Sequence, residues 1–170
     1  MSVVAVKIYD KEIIMSADSI IVYGWADKTP VGGDKIFEVN GMIIGSSGDA
    51  QELTHMFLFA ENHTPLDMTE RGIIKFMNEF RIWRIAEFGV PPEKRVGNQY
   101  LIASKGKCFC CCGCDYVGEV KDFYAIGAGE NYAKAALYLG HSPAEAVRVA
   151  CALSCYVDEP IITKSIPKGV

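Results

Sequence analysis

A chain of 170 residues, half of them hydrophobic and 22% charged, is long enough to bury roughly two-thirds of the surface its unfolded form exposes, and reads as one domain over residues 1–170. Its net charge of -4, with the lysines and arginines scattered, supplies no basic field for nucleic acid, and no stretch approaches the roughly 18 to 20 apolar residues of a membrane span. Met1-Ser2-Val3-Val4 has no basic region leading into an apolar core, and the seven cysteines are odd in number, so reduced thiols in a cytoplasmic protein are the simpler reading.

Val3-Val4-Ala5-Val6-Lys7-Ile8 is rich in β-branched residues, Tyr9-Asp10-Lys11-Glu12 supplies a polar turn, and Ile13-Ile14-Met15-Ser16-Ala17 resumes the apolar run, which predicts a hairpin. A segment punctuated by Gly and Pro covers residues 23–33. Residues 35–45 then read as two strands joined at Asn40-Gly41. From Asp49 the pattern turns helical, with Leu53, Met56, Phe57 and Ala60 on one face until Pro65. Thr69 or Asp67 can cap a longer helix with Ile73, Phe76, Met77, Phe80 and Trp83 as its stripe, stopped by Gly89 and Pro91-Pro92.

Tyr100-Leu101-Ile102-Ala103 and residues 108–117 predict a further strand pair around Ser104-Lys105-Gly106-Lys107, followed by a strand at Phe123-Tyr124-Ala125-Ile126. Residues 131–139 and 143–155 read as helices separated by Gly140, the second started by Ser142-Pro143, and Ile161-Ile162-Thr163 as a last strand. This order suits an α+β fold in which two antiparallel sheets pack face to face between helical pairs.

The pieces Val4-Ala5-Val6-Lys7, Met15-Ser16-Ala17-Asp18-Ser19, Asp34-Lys35-Ile36-Phe37, Ile44-Gly45-Ser46-Ser47-Gly48-Asp49-Ala50-Gln51 and Tyr124-Ala125-Ile126-Gly127-Ala128-Gly129, in this order, resemble the proteasome β subunits and the HslV peptidase over nearly the whole chain. The resemblance implies the four-layered αββα sandwich of the N-terminal nucleophile hydrolases. It also implies their chemistry: an N-terminal Thr or Ser attacks a peptide carbonyl, and its free α-amine, with an ordinary pKa of about 8, serves as base. Lys35 matches the family lysine that lowers the hydroxyl pKa, Asp18 its carboxylate partner, Gly45 the glycine whose N–H faces the oxyanion, and Asp158 a supporting acidic residue. Without the resemblance, Lys35 and Asp18 read as an ordinary solvated pair and Gly45 as a turn residue.

Two alignments give different nucleophiles. Matching Val3-Val4-Ala5-Val6-Lys7 puts Met1 in the nucleophile's place and makes the site silent. Counting back 16 residues from Asp18 makes Ser2 the nucleophile, with a free amine once Met1 is removed, as a small second residue allows. The family usually carries Ser where this chain has Ala128, and a second Ser where it has Ile161.

The resemblance implies a peptidase acting on unfolded polypeptides inside a closed homo-oligomeric ring or double ring, with no cofactor or metal. A separate ATPase would feed it, since the chain has no nucleotide-binding loop. The alternatives are a catalytically silent ring subunit acting as scaffold or binding module, and a small-molecule amidase on the same fold. Ile21 and Ile43, near the expected specificity pocket, point to apolar substrate side chains. The alternating Cys108, Cys110, Cys112 and Cys114 are too spread along a strand to surround one ion and read as a buried apolar face. His55, His63 and His141 have no partner in motif spacing.

Overall fold

The computed structural model describes residues 2–23, 27–29 and 34–169. β1 (Val3–Ile8) and β2 (Glu12–Asp18) form the first hairpin, flanked by β10 (Phe123–Gly127) on β1 and β11 (Ile161–Pro167) on β2, so the first sheet runs β10-β1-β2-β11. The second sheet is a meander: β5 (Ile36–Val39), β6 (Met42–Ser47), β7 (Gln99–Ser104), β8 (Lys107–Cys112) and β9 (Tyr116–Val120). β3 (Ile21–Tyr23) and β4 (Asp27–Thr29) pair within residues 23–33 and their flank, where only irregular chain was expected. All strand pairs are antiparallel.

Local chemistry explains the boundaries. Asn40 and Gly41 both take positive φ, 48° and 70°, as the tight β5–β6 turn needs. Asp49 caps α1 (Ala50–Ala60) by accepting from the Glu52 amide, and Thr69 caps α2 (Glu70–Phe88) by accepting from Gly72. Gly89 ends α2 in the left-handed region, as its sequence position predicts. α3 (Glu130–Tyr138) and α4 (Pro143–Leu153) follow, the latter opened by a full capping box of Ser142 and Glu145.

Three apolar clusters make the layers. Val3, Ala5 and Ala125 pack beneath Leu137, Val147 and Ala150 of α3 and α4. Val4, Val6, Met15, Ile36, Ile43 and Leu101 interdigitate between the sheets, and Ile44, Tyr100 and Phe109 meet Phe59, Phe76 and Phe80 of α1 and α2. The result is the expected αββα sandwich, each strand face serving a different core.

Four readings needed correction. The strand expected over 108–117 is broken: Gly113 takes φ 60° and lies so close to the Val96 carbonyl that the chain turns there, giving β8 and β9. Only Cys108 and Cys110 of the alternating set are buried between the sheets; Cys112 is exposed and Cys114 lies beyond the strand, while Cys111 is buried on the helix-covered face. The helix expected to reach 155 stops at Leu153, with Ser154 already extended, and β11 runs four residues past Thr163 along an exposed edge.

Gly45 shows how closely the sheets approach: a Cβ there would lie 2.6 Å from the Met15 sulfur and 2.7 Å from Val4 Cγ1. Met15 can swing aside, but the β-branched Val4 cannot. Gly45→Ala is expected to destabilise the chain by about 1–3 kcal/mol in urea titrations; an unchanged midpoint would show that the sheets slide apart freely.

Candidate active site

The first sheet ends, at the tips of β1, β2 and β10, over the start of β5 in the second. Ser2 enters β1 almost fully buried, and its carbonyl accepts from the Gly129 amide at 3.3 Å. Because Val3 and Ala5 face the helices while Val4 and Val6 face the second sheet, alternation turns residue 2 toward the gap between the sheets. Beside it in the same sheet, an added Cβ at Gly127 would meet the Ser2 carbonyl at 2.3 Å and the Ser47 hydroxyl at 2.6 Å, so Gly127 is glycine by close approach as well as by its φ of 95°.

Asp18 closes β2 with no exposed surface. One carboxylate oxygen accepts from the Val3 amide at 2.8 Å, the other from Lys35 Nζ at 2.6 Å. Lys35 stands one residue before β5, its carbonyl accepting from the Ser46 amide, so its side chain crosses from the second sheet to the first. The pair is therefore a buried ion pair joining the end of one sheet to the start of the other, not the solvated pair that spacing alone suggests. Burial pushes the Asp18 carboxyl up and the Lys35 ammonium down, each opposed by the attraction of the other. A lysine held in that condition lies closer to proton exchange at neutral pH than a surface lysine does.

Ile161, where the resemblance would place a serine, is the register partner of Asp18 and packs against the cluster beneath α3 and α4. Asp158 is half-buried after α4 and accepts from the Glu159 amide at 2.9 Å. Asp18 and Asp158 both bear electrostatically on Cys151 of α4, whose thiol is pushed up to about 11, by burial first and then by these carboxylates. Asp18, Lys35 and Asp158 thus gather around one end of the sandwich. Gly45 lies there too, in register with Ile36 and beneath Val4. Ala128, where the family usually has Ser, is exposed. Ile43 is fully buried in the core between the sheets.

Sequence reasoning missed Ser47, Asn98 and Gln99. Gln99 Oε1 accepts from the Gly127 amide at 3.2 Å, and Asn98 binds the turn that follows β6. Each is a polar residue in a loop or strand end, a setting that gives no local signal. Among the described residues, no group of three or more His, Cys, Asp and Glu side chains is placed to hold a metal.

No protein-family model matches the sequence, and no curated protein does. Solved structures do. BPH of Thiobacillus denitrificans in complex with epoxomicin superposes with a TM-score of 0.87 at 20% identity, covering 99% of this chain and 100% of that one. A second BPH structure gives 0.83 at 20% identity over 98% of each chain. The chain has the proteasome-type N-terminal nucleophile hydrolase fold. Eukaryotic HslV from Trypanosoma brucei agrees, with a TM-score of 0.76 at 16% identity over 97% of this chain and 99% of that one. At such identities this proteasome-type likeness is one of fold, and the chemistry must be argued from the residues.

The ion pair offers a test that does not depend on activity. Asp18→Asn deprives the buried Lys35 ammonium of its carboxylate and is expected to cost about 3–5 kcal/mol of stability. In the double variant Asp18→Asn with Lys35→Met the loss should be smaller than the sum of the two single losses, by about 0.5–3 kcal/mol. Additive losses in denaturant titrations would contradict a coupled pair.

Proposed function

We propose that the chain is a proteasome-like peptidase subunit in which Ser2, exposed by removal of Met1, is nucleophile and base. The observation that carries this is the buried Lys35–Asp18 pair, held by its hydrogen bond from the Val3 amide directly beside Ser2. In this reading Ser2 Oγ attacks the carbonyl carbon of the scissile peptide as its proton passes to the Ser2 α-amine. The Lys35 ammonium, oriented by Asp18, stabilises the developing negative charge on Oγ. Gly45, to which the resemblance gave the oxyanion, is instead turned into the β6–β7 ladder opposite Leu101 and packed against Met15 and Val4. The amine then hands its proton to the leaving nitrogen, the C–N bond breaks, and water hydrolyses the resulting ester on Ser2. Asp158 supports the terminal amine electrostatically.

The substrates that fit are unfolded polypeptides, handled within a homo-oligomeric ring that shields the site, with unfolding left to a separate ATPase. No described helix is long and apolar enough to cross a membrane. The second reading, a silent ring subunit, is favoured by the absence of a serine at positions 128 and 161 and by the burial of Ser2.

Intact-mass measurement of the native protein separates the two. A chain lacking one methionine, with peptide hydrolysis that falls to background in Ser2→Ala, supports the peptidase; a chain that keeps Met1 contradicts it. Because the base is an α-amine with an ordinary pKa of about 8 and must be neutral to take the proton, hydrolysis should rise as pH increases through that region. A profile flat between pH 6 and about 9 would point to a different base.

A further inference from the structure

The turn after β6, at the same end of the sandwich, is held by a polar assembly that no part of the proposed chemistry uses. Asn98, 2% exposed, accepts from the Asp49 amide through Oδ1 at 2.6 Å and donates through Nδ2 to the Asp49 carbonyl at 2.9 Å and Ser46 Oγ at 3.1 Å. It therefore spans the 46–49 turn from end to end. The fit is tight: a Cβ at Gly48, where φ is 144°, would stand 2.1 Å from Asn98 Oδ1.

Asn98 is itself fixed. Its amide donates to Glu52 Oε1 at 2.9 Å, and the Gly97 amide to Glu52 Oε2 at 3.1 Å. The buried Glu52 carboxylate also accepts from Arg84 Nη1 at 2.8 Å and Tyr100 Oη at 3.0 Å, so its charge is matched and each oxygen takes two donors. Arg84 reaches this point from α2 and Glu52 from α1.

The next residue acts on the opposite wall. Gln99 Oε1 accepts from the Gly127 amide at 3.2 Å, joining β7 of the second sheet to the end of β10 in the first. Gly127 abuts both the Ser2 carbonyl and Ser47 Oγ, and two residues on, the Gly129 amide holds the Ser2 carbonyl. Two adjacent side chains thus grip the two walls that meet at Ser2. Helix capping does not require this of Asn98, since Asp49 already caps α1, and the strand ladder does not require it of Gln99.

We propose that Asn98 and Gln99 are positioning residues for hydrolysis at Ser2: Asn98, anchored by the Glu52–Arg84 pair, sets the turn after Gly45, and Gln99 sets the Gly127 wall against Ser2. This rests on the peptidase reading above. Neither residue touches the reacting atoms, so loss of either should lower kcat with little change in KM, because a misplacement of about 1 Å costs on the order of a hundred-fold in rate.

Gln99 is only half-buried, so its variants keep the fold. Gln99→Leu is expected to lower kcat about ten-fold or more with KM within about two-fold, whereas Gln99→Glu, which retains the Oε1 acceptor, should recover most of the rate. Asn98→Ala should do the same on the other wall, and amide hydrogen exchange should quicken at residues 46–49 in that variant and at 127–129 in Gln99→Leu while β8 and β9 stay protected. A wild-type chain that hydrolyses peptide beside variants with unchanged kcat overturns the positioning role and spares the Ser2 reading. A wild-type chain that hydrolyses nothing, although exchange quickens at the expected amides, overturns the Ser2 reading and the catalytic role built on it. Unchanged exchange in both variants overturns the grip itself.

Discussion

A lysine from one sheet reaching a carboxylate at the end of the other is the interaction on which this end of the molecule depends. Burying Lys35 and Asp18 where the two sheets meet carries a desolvation cost that a packed hydrocarbon pair would avoid. Direct contact at 2.6 Å, together with the Val3 amide on the second oxygen, offsets it. Strand β1 is thereby fixed at its first residue, next to Ser2, in a way that the apolar interface cannot achieve alone, because apolar packing is indifferent to small slides along a strand. The close approach at Gly45, where only a glycine admits Met15 and Val4, holds the sheets near enough for the lysine to span them.

Much of the fold could be read from the sequence because its signals are local. Asp49, Thr69 and Ser142 each cap the helix that their position announces, and Asn40-Gly41 turns the chain where it stands. What escaped was decided by distant contacts. The end of β8 was hidden because Cys112, Gly113 and Cys114 continue an apparently apolar run, and only the nearness of the Val96 carbonyl to Gly113 shows why the strand ends there. β11 looked short because its later residues are polar, as suits an edge strand whose outer face meets water.

The site divided in the same way. Asp18 and Lys35 were found through motifs that place them at strand ends, and the structure brings them into contact, whereas Gly45 lies inside β6 with a strand on either side. The burial that moves both their titrations could not be seen in sequence, where each would pass for a surface charge. Glu52, Arg84, Asn98 and Gln99 left no trace, because they come from α1, α2 and the entry to β7, and their relation exists only once the second sheet and its helices have docked. A site built from two sheets thus has an apolar interior legible from alternation and a polar frame legible only in three dimensions.

The central claim is that a hydroxyl and a free amine act together on Ser2. A peptidyl epoxyketone tests it directly, since its ketone takes up a hydroxyl and its epoxide then alkylates an amine on the same residue, closing a ring. Tandem mass spectrometry of the treated protein should find the adduct on Ser2 as the first residue of the chain, and none in Ser2→Ala. Adducts confined to the exposed Cys112 or Cys155, or an unlabelled Ser2 from which Met1 has been removed, would contradict the account.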